Sequence, residues 1–245
     1  MIIAYNIIET SLNTAQRQLE VNTGNIANAT VTAYKERRVE QENNFPFLLS
    51  DAMSSVYRDG FDSKGRKKRL YEIGTGSSVT AITKNMAQGA LENTGRDYDL
   101  AIVGEGLFQL KRPDGQLVYA RSGVFMRDRL GYLSDLAGNR VEPAIIIPQD
   151  TSQVYIDLSG RVSVQTAVEG SQTRYVGQLR LAVFDNPEQL KEIGQNVYQK
   201  TADAGDMRVQ LPNQRNVGLI QQGSIELSNV NIVEQMMKLV INQRN

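Results

Sequence analysis

Three carboxylates, Asp97, Asp99 and Glu105, crowd the stretch 97-DYDLAIVGEGLFQL-110. Paired carboxylates are the machinery of glycoside hydrolysis, one giving a proton while the other attacks or activates water. The rest of the inventory is poorer. The chain has no histidine and no cysteine. That removes the usual general base at neutral pH, the commonest metal ligand, thiol nucleophiles, thiolate zinc sites and disulfides. Lysine, tyrosine and serine remain as reactive groups. The glycine clusters GTG at 74–76 and GEG at 104–106 do not form GxGxxG and do not open a helix after a strand, so they make no phosphate cradle. GxSxG, SxxK, P-loop and EF-hand patterns are absent. Acids placed like these three more often mark turns and strand ends. The sequence designates no catalytic, cofactor or metal site, and it reads as a protein that is not an enzyme.

Charge and hydropathy narrow the classes further. Lys+Arg and Asp+Glu each number 27 among 245 residues, so the formal net charge is zero. Nothing global draws such a chain to nucleic acid or to an anionic membrane, whereas neutrality favours self-association. No run approaches the ~18 apolar residues of a membrane-spanning helix, so no direct membrane insertion is expected. The opening MIIAYNIIETSLNTAQ lacks a basic n-region and is interrupted by Asn6 and Glu9. It does not read as a cleaved secretory signal.

Two helical seams lie at the extremities. From the N-terminus, Ile8, Leu12, Ala15, Leu19 and Ile26 alternate spacings of four and three, with Asn22 filling one position. This is the a/d pattern of a coiled-coil face. A helix over Ile2–Ala27 would extend about 39 Å. Gly24, Asn25, Asn28 and Thr30 supply residues on which it can stop. At the other end, 228-SNVNIVEQMMKLVINQRN-245 places Asn231 three residues before Glu234, a capping-box arrangement. Val230, Val233, Met237 and Val240 keep the same three-four spacing, and the chain ends within the pattern. A core helix of a compact domain carries a similar stripe; a long lone helix needs a partner to bury it.

Between the ends the period changes to two. Val154, Ile156 and Leu158 alternate, Ser159-Gly160 turns, and Val162 and Val164 alternate again. Asp114-Gly115 marks a second hairpin between LFQLKRP and QLVYAR, and Leu179, Leu181 and Val183 alternate in a third strand. Gly131 and Gly138 punctuate further turns. Only 186-NPEQLKEIG-194 reads as a short helical insertion. The fold class expected is therefore mixed and mainly β: a central all-β domain, barrel or sandwich-like, flanked by coiled-coil-like helices that pack together. The divisions are 1–30 for the N-terminal helix, 31–75 for a bridge, 76–222 for the β domain and 223–245 for the C-terminal helix. In the bridge, Lys64, Arg66, Lys67, Lys68 and Arg69 form a basic run. It is either a solvated loop or an arm toward a neighbouring subunit; no aromatic platform or zinc motif points to nucleic acid.

Three stretches together resemble one family. TGNIANATVTAYK at 23–35 is similar to the "NNxANxxTxGYK" signature of the bacterial flagellar rod and hook axial proteins, matching at Asn25, Ala27, Asn28, Tyr34 and Lys35. The segment 97–125 resembles the central "DLAIxGxGFFxV…DG…YTRxGxF" block, with Asp99, Leu100, Gly104 and Gly106 in place. GSIELSNVNIVEQMMKLVINQRN at 223–245 resembles "GxxExSNVNxxEEMxxMIxxQR", with Ser228, Asn229 and Asn231 in place. Ala33 stands where the family has glycine, a change expected to remodel a left-handed turn. Gly24 replaces the first asparagine, and Leu107-Phe108 a Phe-Phe pair. Members continue the helix beyond Gln243-Arg244.

The resemblance implies an axial subunit of the flagellar basal-body rod, exported without a cleaved signal through the flagellar type III apparatus. Such a subunit assembles helically into a hollow drive shaft crossing the periplasm, in contact with neighbouring rod, hook and ring proteins. Length and IGTG at 73–76 look most like the distal-rod branch, ahead of proximal-rod and short hook-like paralogues. The seams agree with this, because lone helices are marginal in water and are expected to order on assembly. The competing readings are a carbohydrate-active enzyme using Asp97, Asp99 or Glu105 and a binding module that closes into small oligomers.

Overall fold

The computed structural model describes residues 2–43, 47–48, 72–73, 77–166, 173–214 and 217–244. The basic run of residues 64–69 and the glycines of IGTG lie outside these. By contacts the chain divides into two compact units, one of residues 1–24, 37–83 and 236–245, the other of residues 25–36 and 84–235.

Helix α1 spans Ile2–Ala27, the extent the apolar period predicts. Its buried positions are Thr14, Val21, Asn22 and Asn25. At about 100° per residue Thr14, Val21 and Asn25 lie roughly 110–150° around the axis from the centre of the Ile8–Leu12–Ala15–Leu19–Ile26 stripe, while Asn22 stays at the stripe's edge. The helix thus has one face its own chain covers and another carrying the predicted seam. In the same unit β1 (Arg37–Asn43) pairs with β4 (Ser77–Lys84), and β2 (Phe47–Leu48) with β3 (Glu72–Ile73). Sequence gave no sign of β1 because RRVEQEN is mostly charged. A two-stranded ribbon needs only alternate half-covered positions, here Arg37 and Val39.

Among the described residues the larger unit is β apart from its junctions with the helices and one 3₁₀ turn. Its strands are β5 (Leu91–Asn93), β6 (Leu100–Val103), β7 (Leu107–Lys111), β8 (Leu117–Ala120), β9 (Phe125–Arg127), β10 (Leu133–Asp135) and β11 (Arg140–Val141). There follow β12 (Thr151–Ile156), β13 (Arg161–Thr166), β14 (Thr173–Gln178), β15 (Leu181–Phe184) and β16 (Lys191–Glu192). The series ends with β17 (Val197–Gln199), β18 (Met207–Gln210), β19 (Leu219–Gln222) and β20 (Ser224–Glu226). The main sheet runs β16-β17-β8-β7-β11-β10-β9, with β15 also on β7 and β18 on β15; β12-β13-β14 form a second sheet. Both Asp114-Gly115 and Ser159-Gly160 turn hairpins, β7–β8 and β12–β13, as their spacing predicts.

Alternation sorts the side chains into two cores. Phe108 and Leu110 face a large one with Leu100, Phe125, Val162, Val164, Leu179 and Leu181. Leu107 faces a smaller one with Tyr119, Ala182, Phe184, Leu190 and Tyr198. Strand β15 is therefore covered on both sides, and the deeper outward residues are Ala182 and Phe184 rather than half-buried Val183. The expected helix at 186–194 shrinks to one 3₁₀ turn, Pro187–Gln189, after which Lys191–Glu192 pairs with β17. Pro187 starts that turn, but Leu190 is drawn into the smaller core as extended chain, with φ −65° and ψ 135°.

Three turns of this unit share one design. Asp128 Oδ1 accepts from the Leu130 and Tyr132 N–H groups, Asp135 Oδ1 from Ala137 and Asn139, and Asp157 Oδ1 from Ser159 and Arg161. Each is an Asx turn closed at its fourth residue by glycine in the left-handed region, φ 89° at Gly131, 84° at Gly138 and 75° at Gly160. The loops are consequently preformed.

Candidate assembly site

Helix α2 spans Ile232–Arg244. Asn231 caps it, its Oδ1 accepting from the N–H groups of Val233 at 3.1 Å and Glu234 at 3.3 Å, as the sequence predicts. Val230 lies before the helix and is half-buried, so it leaves the predicted seam. Met236 and Ile241 take its place: Val233, Met236, Met237, Val240 and Ile241 are all exposed. Their spacing, i, i+3, i+4, i+7 and i+8, is that of a continuous apolar stripe. On α1, Ile8 and Leu12 are 66% and 67% exposed, while Ala15, Leu19 and Ile26 are half-buried. Monomeric proteins do not ordinarily leave apolar stripes of this kind facing water.

In the larger unit a polar knot holds residues 25–36 and 224–235 together. Its centre is Glu226, buried with Lys35 and Arg121. Lys35 Nζ lies 2.6 Å from Glu226 Oε1 and also donates to the Ala87 carbonyl at 2.7 Å. Arg121 Nε lies 2.6 Å from Glu226 Oε2, and its terminal nitrogens donate to the carbonyls of Gly106 and Ile102. The Gly89 N–H donates to Glu226 Oε1 at 2.9 Å, and the Ala33 N–H to the Glu226 carbonyl at 2.8 Å. Burial alone would raise the Glu226 carboxyl, but Arg121, Lys35 and the Gly89 N–H hold it below the ordinary carboxylate value. For Lys35 burial wins: it lowers the ammonium despite Glu226, and Arg121 adds to the lowering. The two directions agree physically because one carboxylate serves two cations.

Neutral groups extend the knot. Tyr34 Oη donates to Asn25 Oδ1 at 3.2 Å, Asn25 Nδ2 to Gln235 Oε1 at 3.3 Å, and Gln235 Nε2 to Glu36 Oε1 at 2.9 Å. Asn229 accepts from the Glu36 N–H at 2.8 Å and donates to the carbonyls of Asn85 and Ala87. The last turn of α1 and the first turn of α2 are thereby fastened through side chains of the same unit. Ala33 keeps the left-handed conformation, φ 56°, and is fully buried. The turn expected to be remodelled is retained, because the Ala33 N–H is committed to Glu226. We expect Ala33→Val to destabilise the unit by about 2–4 kcal/mol in urea unfolding, since a β-branched residue is strained at positive φ and has no room. Ala33→Gly should lie within about 1 kcal/mol of the parent, trading relieved strain against a lost methyl.

The other family-type residues have local roles. Ser228 Oγ accepts from the Val230 N–H, Asn28 O from the Val31 N–H, and Ala27 is the exposed end of α1. Leu100 is in the large core, and Gly104 and Gly106 take φ of 105° and 131°. Asp99 is buried and accepts from Thr94 Oγ1 at 2.7 Å, whereas Asp97 and Glu105 are exposed. Among the described residues no group of three or more acids or other ligating side chains is placed to hold a metal. The residues sequence reasoning missed are Arg121, Glu226, Glu36 and Gln235. Arg121, one residue past β8, and Glu226, the last residue of β20, stood inside the quoted motifs, which was the signal available.

Residues 101–164 match the family model described as the flagellar hook protein FlgE/F/G D1 domain, and residues 221–245 the flagellar basal body rod FlgEFG protein C-terminal model. The chain belongs to the flagellar basal-body rod protein family. It is 32% identical over 248 residues to the flagellar basal-body rod protein FlgG of Buchnera aphidicola subsp. Schizaphis graminum, covering 100% of this chain and 92% of that one. It is 32% identical to FlgG of Agrobacterium fabrum over 245 residues, 98% of this chain and 90% of the relative. The FlgG of Bacillus subtilis is 31% identical over 234 residues, 94% and 85% of the two chains.

Proposed function

We propose that this chain is a structural axial subunit of the flagellar basal-body rod, of the distal-rod type, that polymerises helically into the drive shaft. The observation that carries the reading is the exposed stripe on α2 together with exposed Ile8 and Leu12 on α1, on a chain whose relatives are named rod proteins. Burying such a stripe contributes about 1.5–3 kcal/mol per large side chain, enough for several residues to drive association. In the assembled state the helices of residues 1–30 and 223–245 pack in coiled-coil fashion with each other and with neighbouring copies. The β domain, 76–222, then forms the outer layer. The bridge, 31–75, with Lys64, Arg66, Lys67, Lys68 and Arg69, reaches an adjoining subunit. Contacts between unlike patches of identical copies generate an open filament when the rotation does not close. The tube transmits torque by stiffness, meets rod, hook and ring proteins at its ends and flanks, and is delivered by the type III export apparatus to the periplasm.

Negative-stain microscopy of concentrated protein tests this. Tubes are the expected result; closed rings or discrete small oligomers would instead establish a binding module, and no association at any concentration would remove the reading.

A further inference from the structure

The three preformed Asx turns each present an exposed leucine: Leu130, Leu136 and Leu158. Leu136 borders a shallow cavity with Val31 and Thr32, and the Leu158 carbonyl accepts from Ile220. Leu130, 68% exposed, is placed differently. It sits beside exposed Arg129, and its turn leads into Tyr132, bridged to exposed Ile146; exposed Met126 faces Ser134 on the same hairpin. The tip is therefore rigid, apolar and positively charged.

A matching recess occurs in the same unit. A cavity of about 380 Å³ has apolar walls from Met86, Leu107, Ala182, Val183 and Pro187, with exposed Glu105 in its lining. Pro187 also borders an adjoining depression lined by Glu188, Asp203 and Asp185, the last paired with Arg208. Arg121 is the sole cation among the cavity's lining residues; it is buried and paired with Glu226, which Lys35 shares.

We propose that the Arg129–Leu130 tip of one copy seats in this cavity of a second copy. Leu130 lies against Val183 and Pro187, and Arg129 faces Glu105 and Glu188. The inference rests on the rod reading and adds to it a contact between β domains, beside those of the helices. Because tip and cavity are different patches, the contact is heterologous, and each copy keeps one half free for the next. A preformed turn loses little entropy on docking, which favours this tip over a flexible loop.

The chain's lack of cysteine makes the test clean. Full-length Leu130→Cys and Val183→Cys variants are mixed and mildly oxidised where the parent assembles. A covalent dimer is expected in the mixture alone, and neither from either variant by itself nor from Leu158→Cys mixed with Val183→Cys. As a second readout, Arg129→Glu and Glu105→Arg should each raise the critical concentration roughly threefold or more, and their combination should restore it. Filaments of normal critical concentration in both charge variants, with no mixed dimer, overturn the contact and leave the rod reading intact. Dimers from Leu130→Cys alone overturn the heterologous pairing. Absence of both filaments and dimers from every preparation overturns the contact and the rod reading together.

Discussion

Replacing Glu226 with alanine is expected to cost about 3–5 kcal/mol of unfolding free energy, the largest effect of any single substitution in the β unit. The carboxylate is buried against Lys35 and Arg121. Removing it leaves two cations out of water without a counter-charge, which is worse than never having built the pair. The Gly89 N–H loses its acceptor as well. Against a typical domain stability of about 5–15 kcal/mol this is a large fraction. Urea denaturation followed by circular dichroism measures it. A loss below about 1 kcal/mol would mean that water reaches the knot and that its charges act as surface ions.

The same knot sets a pH dependence. The folded Glu226 pKa lies below its unfolded value. Its contribution is therefore complete above the ordinary glutamate range and disappears as pH falls through the lowered folded pKa. Lys35 is depressed below its ordinary value near 10.5, so the unfolded chain binds its proton more tightly. That term makes stability rise with pH as the solution passes from the folded Lys35 pKa toward the unfolded one. Both slopes have the same sign. The acid limb should be flattened in Glu226→Gln, while the limbs of the surface acids persist.

The second large effect concerns assembly rather than stability. Leu12→Asp should abolish filament formation while leaving the β unit's urea midpoint unchanged. Leu12 is exposed in the single chain, so the substitution removes nothing the monomer uses. In a filament it removes about 2 kcal/mol of apolar burial and places a carboxylate where no partner has been prepared. Together these raise the critical concentration by a hundredfold or more, since each 1.4 kcal/mol is about tenfold. Met237→Asp tests the stripe on α2 in the same way. Sedimentation separates the outcomes: pelleting at the parental concentration would show that the stripes stay solvated in the polymer.

The strengths and failures of sequence reading follow from what each interaction depends on. Helix α1 and the β7–β8 and β12–β13 hairpins were legible because periodicity and turn residues are local properties. The Asn231 cap was legible for the same reason. The covered face of α1 was not, because Thr14 and Asn25 are polar, and an apolar period passes over them. Strand β1 was hidden by its charges, and the 186–194 helix was over-read because Leu190 answers to a tertiary core rather than to its neighbours. At the assembly site the stripes were half readable: Val230 dropped out at the cap, while Met236 and Ile241 joined. Arg121 and Glu226 stood in the quoted motifs, but their pairing joins residues 105 apart, which no local pattern encodes.

Glu226 lies 191 residues after Lys35, and Gln235 lies 210 after Asn25. Contacts of such separation are slow to form, because the loop they close must be immobilised first. During synthesis, Lys35 and Arg121 emerge long before their common anion exists. Residues 25–36 therefore lack the Glu226 and Gln235 side of their lock until residues 224–235 have been synthesised, and a polypeptide halted short of residue 224 retains only weaker ties, such as those of Lys35 to the Ala87 carbonyl and of Asn196 to the Thr32 carbonyl. Ordering of this early segment thus waits on a distant part of the chain.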